Sequence, residues 1–287
     1  MTLKILTDSG SDLPLQFFKD YDVTLFSLGV HLDGQDYEDI ATIHPAEVFN
    51  AMRDGKAPKT SQVSPQRFKD VFTELAKEKQ AGLYIAFSSE LSGTYQTAVM
   101  MRDEVKEEFP ELDLTIIDTK CASLGQGLVA KAAAELAAKG GSKEEIIELV
   151  TFYINHMVHL FTVDDLEYLA RGGRVSKASA FVGGLLNIKP ILNVEDGKLI
   201  PLEKIRGKKK VAKRILELME ERGKDLSQQT IAISHGDVEG EALEYKRLFE
   251  EKFGCKSVYI NMIGAAIGSH AGPGTIAIFF LNELPKA

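Results

Sequence analysis

Hydroxyl side chains gather at two places in this 287-residue chain, and a histidine stands in a third, glycine-rich stretch. The densest group is Ser88-Ser89-Glu90-Leu91-Ser92-Gly93-Thr94. It follows Leu83-Tyr84-Ile85-Ala86-Phe87, an apolar run that reads as a buried strand. It precedes Tyr95 to Phe109, where Tyr95, Ala98, Arg102, Val105 and Phe109 recur at helical spacing with one polar interruption. The first N–H groups of a helix have no internal partner and carry the positive end of its dipole. A serine-rich turn there can seat a small anion such as a carboxylate or phosphate. It can equally serve as a cap through Ser92, and the two roles are compatible. The second group, Lys59-Thr60-Ser61-Gln62-Val63-Ser64-Pro65, lies one helix and one strand earlier. Loops at the same strand ends of an α/β sheet converge on one crevice, so the two groups are expected to meet.

His270 is flanked by Gly264, Gly268, Gly272 and Gly274, residues that let backbone approach a ligand closely. A histidine in such a loop can donate to a carboxylate, act as a base or bond a neighbouring carbonyl. His235 reads as part of a capped loop, and His44, His156 and His159 read as structural. His156 and His159 have no Glu between them and no third ligand, so no zinc site is expected. Asp8, in Thr7-Asp8-Ser9-Gly10-Ser11-Asp12, reads as a backbone cap rather than a metal ligand. Ser89-Glu90-Leu91-Ser92-Gly93 lacks the first glycine of a nucleophile elbow. A Walker loop and a Gly-x-Gly-x-x-Gly fingerprint are absent as well. Two basic groups stand out: Lys204, Arg206, Lys208, Lys209, Lys210, Lys213 and Arg214, and then Arg171, Arg174 and Lys177. Each is either a solvated face or a docking patch for an acidic partner or a phosphate.

The elements that must position these groups alternate between strand and helix. Leu3 to Leu6, Val23 to Val30, Leu83 to Phe87 and Leu114 to Ile117 read as extended, with helices between them, which indicates a mainly parallel sheet with helices on its faces. An alanine-rich helix from Gly125 to Lys139 ends at Gly140-Gly141, and Ser142 with Glu145 forms a capping box for the next. A domain boundary is placed near residue 160. Beyond it, Lys189 to Val194 and Lys198 to Ile205 flank Glu195-Asp196-Gly197, a hairpin signal. Further strands are read at Ile231 to Ser234, Ser257 to Asn261 and Ile276 to Leu281.

A 44% hydrophobic and 26% charged composition is that of a soluble globular protein. No apolar run reaches the roughly 20 residues that span a bilayer. The N-terminus enters a strand pattern directly and reads as no signal peptide. Cys121 and Cys255 suggest neither a disulfide framework nor a metal site, which fits a reducing cytoplasm. A net charge of −8 argues against general nucleic-acid binding.

Taken in order, several stretches resemble the DegV family, the fatty-acid-binding subunits (FakB) of bacterial fatty acid kinase. They are Thr7 to Leu13, Lys59-Thr60-Ser61-Gln62, Ser88 to Gln96, Asp118-Thr119, Val163-Asp164-Asp165-Leu166, Gly172-Gly173-Arg174-Val175-Ser176, Lys189-Pro190-Ile191-Leu192, Lys204-Ile205-Arg206-Gly207 and Ile267 to Thr275. Val63 departs from the proline common at its position in the family. The resemblance implies a two-domain α/β protein, residues 1–160 and 161–287, with a mainly parallel sheet in the first domain, a mixed sheet in the second and a long-chain fatty acid between them. It implies recognition of the carboxylate by Thr60, Ser61, Ser92, Gly93 and His270, and no metal or other cofactor. It implies a separate ATP-dependent kinase subunit that converts the carboxylate to an acyl-phosphate, with Arg174 and Arg206 as surface groups for kinase docking that help the kinase dock or steady the phosphoryl transfer. Partners beyond these reduce to at most transient membrane-surface contact, in the cytoplasm. Since the apolar tail must be buried, Phe181, Val182, Gly183, Leu185, Leu186 and Ile188 are candidates for a tunnel wall, and ordinary core is their other reading. Two rival functions are an acyl hydrolase or transferase using Ser92 and His270, and a lipid sensor or store without a kinase.

Overall fold

The computed structural model describes residues 3–175, 188–255 and 257–285. Its strands run in chain order as β1 (Lys4–Asp8), β2 (Thr24–Phe26), β3 (Gly29–Leu32), β4 (Gln35–Glu38), β5 (Lys59–Ser61), β6 (Gly82–Ala86) and β7 (Leu114–Asp118). They continue as β8 (Met157–Thr162), β9 (Ile188–Glu195), β10 (Lys198–Arg206), β11 (Thr230–His235), β12 (Ser257–Met262) and β13 (Ile276–Leu281). They form a parallel sheet ordered β2-β1-β6-β7, a mixed sheet ordered β10-β9-β8-β13-β11-β12, and a small antiparallel sheet ordered β4-β3-β5. This is an α/β fold with a helix-flanked parallel sheet in one domain and a mixed sheet in a second.

The burial patterns follow from these surroundings. Every residue of β6 is buried, as expected of a central parallel strand covered on both faces. The mixed sheet has two dry faces that alternate along each strand. Leu160, Ile276, Ile278 and Phe280 face the helices Lys208–Arg222 and Glu239–Phe253, packing with Ile215, Met219 and Phe249. Phe161, Ala277 and Phe279 face the opposite way, into the core shared with the first half of the chain. Between the two sheets lies the helix Leu124–Ala138, which touches β1 and β6 on one side and β8, β11 and β13 on the other. Its Gly127, Ala130, Ala133 and Ala134 are buried, so small residues let both sheets approach.

Three sequence readings are revised. The glycine-rich stretch around His270, read as a loop, forms the helix Ala265–Ala271. The extended run Val23 to Val30 is broken: β2 joins the parallel sheet, while β3 turns away into the small sheet, and the Leu28 N–H at the break donates to the buried Ser9 Oγ at 3.0 Å. Periodicity reports extension and carries no signal for a change of sheet. Lys59–Ser61, read as loop, forms β5 against β3, with Thr60 opposite Val30. Its largely exposed, polar residues leave no apolar alternation to read. The β9–β10 hairpin turns at Asp196 and Gly197, both at positive φ, which is the conformation a two-residue turn matching strand twist requires.

One buried network joins the first half of the chain to the helix Ala265–Ala271, which carries His270. Asp12 Oδ1 accepts from the Gly264 N–H at 2.8 Å, and Asp39 Oδ1 accepts from the Ala265 N–H at 2.7 Å. The Asn261 amide donates to the Asp12 carbonyl at 2.6 Å, and Ser123 Oγ bonds Asp12 Oδ2. A Cβ on Gly264 would stand 2.8 Å from Asp12 Oδ1, so glycine is what lets the carboxylate reach the helix start. Burial raises the carboxyls of both Asp12 and Asp39, the latter to about 6 despite the N–H groups it accepts from.

The folded state therefore holds the Asp39 proton up to a pH near 6, while an unfolded carboxyl releases it near 3.8. The stabilisation linked to that proton is complete below the lower value and is lost as pH rises through the higher one, on the order of 2–3 kcal/mol in all. Asp39→Asn, which keeps an acceptor and cannot titrate, should gain in thermal midpoint relative to wild type as pH is raised from about 4 to about 7. A midpoint difference that stays constant across that range would show that Asp39 titrates as an ordinary carboxyl.

Candidate ligand-binding site

The inner face of the mixed sheet and the loops of the parallel sheet enclose a cavity of about 230 Å³. Roughly 10–15 Å³ on that measure holds one water, so the space suits a molecule. Its wall is built by strand alternation. Phe161 from β8, Val194 and Leu199 from the hairpin, and Ala277 and Phe279 from β13 line it, and on β8 and β13 the neighbours in sequence, Leu160, Ile276, Ile278 and Phe280, face the opposite core. Phe87 and Leu91 from the parallel-sheet side close the space, and Ile263 and Ile267 approach from the segment leading into and through the His270 helix.

Ser123, His159 and Thr275 border the cavity, and a separate linked set of polar groups forms another part of its lining. Thr60 Oγ1 and His270 Nε2 are 2.7 Å apart. Ser92 Oγ lies 2.9 Å from Thr94 Oγ1 and accepts from the Thr94 N–H at 3.3 Å; the N-cap of the helix Thr94–Glu108 is Gly93, so Ser92, expected as the cap, sits one residue before it while lining the cavity. The two hydroxyl groups of the sequence are tied together here: the Gln62 amide donates to Thr97 Oγ1 at 2.7 Å, and the Val63 N–H donates to Thr94 Oγ1 at 3.3 Å. Arg174 fastens this set from the other side, its Nε donating to the Leu91 carbonyl at 3.2 Å and its Nη1 to the Gly172 carbonyl at 2.6 Å. Burial, and then the nearby Arg174 charge, push the His270 imidazole down to about 4. At neutral pH the ring is uncharged, with one N–H donor and one bare acceptor nitrogen. When Nε2–H donates to Thr60 Oγ1, the Thr60 hydroxyl proton is free to donate onward into the cavity.

Of the residues named from sequence, Thr60, Ser61, Ser92, Gly93 and His270 all line this cavity. Arg174, expected as a surface group for the kinase, is half-buried and borders the cavity. Arg206 is exposed at the end of β10 and lines no part of the cavity. Ile188 is half-buried at the start of β9, opposite Arg206, and is likewise outside the lining. Phe181, Val182, Gly183, Leu185 and Leu186 lie outside the described residues. Sequence reasoning missed the strand-borne wall and also His159. That ring lies 97% buried on the cavity face of β8, edge-on to Phe279 at 5.3 Å, and burial pushes it down to about 4. Its place two residues before Phe161 was the available signal. His44 does act structurally, capping the helix Pro45–Arg53, and His156 bonds Asn282 at 2.8 Å. Asp8 accepts from the Gly10 N–H as a cap and also from Tyr84, Phe87 and Gln126, which makes it a core hub. Among the described residues no group of side chains is arranged to hold a metal ion, and no helix is long and apolar enough to cross a membrane.

Comparison with known proteins gives a consistent result. A family model described as "Uncharacterised protein, DegV family" matches residues 2–283. A DegV domain-containing protein of Clostridium perfringens is 41% identical over 282 residues, covering 97% of each chain. Among solved structures, a fatty-acid-binding DegV family protein from Thermus thermophilus superposes with a TM-score of 0.88 at 34% identity, covering 97% of this chain and 99% of the other. A stearic-acid-binding protein from Eubacterium ventriosum gives 0.88 at 25% identity, covering 98% and 99%.

The seat of His270 rests on one missing methyl group. A Cβ on Gly172 would overlap His270 Nδ1, although Gly172 itself has ordinary right-handed helical angles that alanine accepts. Gly172→Ala should therefore displace the ring and part it from Thr60, at a cost of about 1–3 kcal/mol. Imidazole NMR of the variant should show the His270 nitrogen signals shifted. Unmoved signals would mean that the turn at Gly172 yields and the histidine does not.

Proposed function

The chain belongs to the DegV family, and on that footing we propose that it binds a long-chain fatty acid and presents the carboxylate to a separate kinase. The observation that carries this reading is the shape of the cavity: apolar walls between two sheets, with hydroxyls, a histidine and an arginine in one part of its lining. Burying an acyl tail contributes roughly 0.8 kcal/mol per methylene. Burying an ionised head without donors would cancel much of that gain. On this reading Thr60, Ser61 and Ser92, together with the helix start at Gly93, supply the donors, and the 2.7 Å contact between His270 and Thr60 supports a histidine that orients the Thr60 hydroxyl. Arg174 draws the Leu91 and Gly172 turns together around that head. The fatty acid binding described for the Thermus thermophilus protein supports the same ligand class.

The kinase step is the finer part of the proposal. A carboxylate oxygen attacks the γ-phosphorus of ATP, the bond from that phosphorus to the ADP oxygen breaks, and acyl-phosphate and ADP result. The carboxylate is already deprotonated, so this chain need supply no base. Arg206, Lys209 and Lys210 are exposed and have no ion-pair partner among the described residues, and they suit an acidic partner surface. Arg214, by contrast, is occupied by Glu203, Glu217 and Glu221. The rival hydrolase reading draws no support from the geometry, because His270 pairs with Thr60 and Ser92 pairs with Thr94.

Thr60→Val and Ser92→Ala should each weaken fatty-acid binding by about 1–3 kcal/mol, the cost of leaving a desolvated polar group short of a partner. His270→Gln, which keeps an amide donor, should retain more affinity than His270→Ala. Titration calorimetry with a C18 acid reads both, and unchanged affinity in the first two variants would remove the carboxylate from this part of the cavity. Arg206→Ala should bind the acid normally and yield acyl-phosphate more slowly with a kinase and ATP, the deficit shrinking as salt screens the wild-type attraction. Release of the lipid by Arg206→Ala would instead tie that residue to ligand binding.

A further inference from the structure

A second depression lies outside the cavity, on the far side of the Thr60–His270 pair. Thr60, Arg174 and His270 line both spaces and so form the partition between them. The outer groove also takes in Lys56, Lys59 and Arg171. That makes four cationic side chains and no carboxylate in its described lining, in a chain whose net charge is −8. The acids that pair with its cations stand outside its lining. Asp33 holds Lys56 at 2.7 Å, and Glu167 lies 3.8 Å from Arg171, whose guanidinium also sits over the Tyr168 ring at 5.3 Å. Lys59 is exposed and has no ion-pair partner among the described residues. Lys59 and Arg174 thus face the groove with no acid partner among the described residues, an excess of positive charge that a bound anion would relieve.

We propose that this groove holds the phosphoryl group of an acyl-phosphate whose acyl chain remains in the inner cavity. The inference rests on the fatty-acid reading above and names a site that reading does not contain. Its logic is one of position and charge. The carboxyl sits at the partition, so a phosphoryl group bonded to a carboxyl oxygen projects through it to the outer side. A phosphoryl group adds charge and several strong acceptor oxygens, which Lys and Arg donors bind with charge-assisted hydrogen bonds. The free acid leaves the groove empty of ligand, so Lys56, Lys59 and Arg171 discriminate the phosphorylated ligand from its precursor.

The test compares stearic acid with its chain-matched β-ketophosphonate, a stable acyl-phosphate mimic, on wild type and on the triple variant Lys56→Ala, Lys59→Ala, Arg171→Ala. Wild type should bind the phosphonate about tenfold or more tightly than the acid at low salt, an advantage that shrinks as salt rises. The variant should keep the acid within about twofold of wild type and lose most of the phosphonate advantage, with a thermal midpoint near that of wild type. Inorganic phosphate, added as a competitor, should reduce the phosphonate advantage and leave stearic acid binding unchanged. Equal losses for both ligands in the variant, or a phosphonate advantage that survives in full, would overturn the groove while leaving the fatty-acid reading in place. Tight binding of inorganic phosphate to wild type with no advantage for the phosphonate would overturn it in favour of a free-anion site. If neither lipid binds wild type, the fatty-acid reading itself has failed.

Discussion

Two buried carboxylates on one short helix start hold this architecture together. Asp12 follows β1 and Asp39 follows β4, yet both accept from the backbone where the helix Ala265–Ala271 begins. Each N–H there would otherwise be an orphan donor in a dry interior, and leaving such a group unpaired costs about 1–3 kcal/mol. The helix is too short to be stable on its own and takes its position from what its ends and faces touch. His270 is the sixth residue of that helix, so these two acids, far away in sequence, decide where the imidazole stands. Their own cost is visible in their raised carboxyl pKa values, which follow from burial.

Division of labour between the two sheets follows. The mixed sheet offers one face to its own helices and the other to the cavity, and strand alternation separates the two sets of apolar side chains without mixing them. The parallel sheet contributes turns instead of faces. Its strand-to-helix turn at Ser88–Thr94 meets the segment that follows β5, where Gln62 bonds Thr97 and the Val63 N–H bonds Thr94 Oγ1. Apolar walls thus come from rigid strands and polar groups from strand ends and turns, the arrangement that a ligand with a long apolar part and one ionised end requires.

Electrostatics sharpens this partition. His270 is held neutral by burial and by Arg174, so the inner side of the polar set offers dipoles and hydroxyls. The outer side adds Lys56, Lys59 and Arg171, of which Lys56 pairs with Asp33 and Arg171 lies near Glu167. One cation, Arg174, borders both sides and three more join it on the outer side, which gives the site a direction along which negative charge is better accommodated.

Much of this was legible in the residues. Apolar periodicity gave the strand–helix alternation, turn chemistry gave the Glu195-Asp196-Gly197 hairpin, and the Ser142–Glu145 capping box forms as read. Hydroxyl clusters at a strand end and glycines around a histidine marked Thr60, Ser92 and His270, because those are local signals of turns and close approach. What the sequence could not express is which distant elements share a space. The switch of sheet between Phe26 and Gly29, the short polar strand β5, the inward turn of Arg174 and the cavity face shared by His159, Phe161 and Phe279 all depend on non-local packing. A strand's alternation fixes which residues face the same way, but only the partner packed against that face decides whether they become solid core or the wall of a cavity.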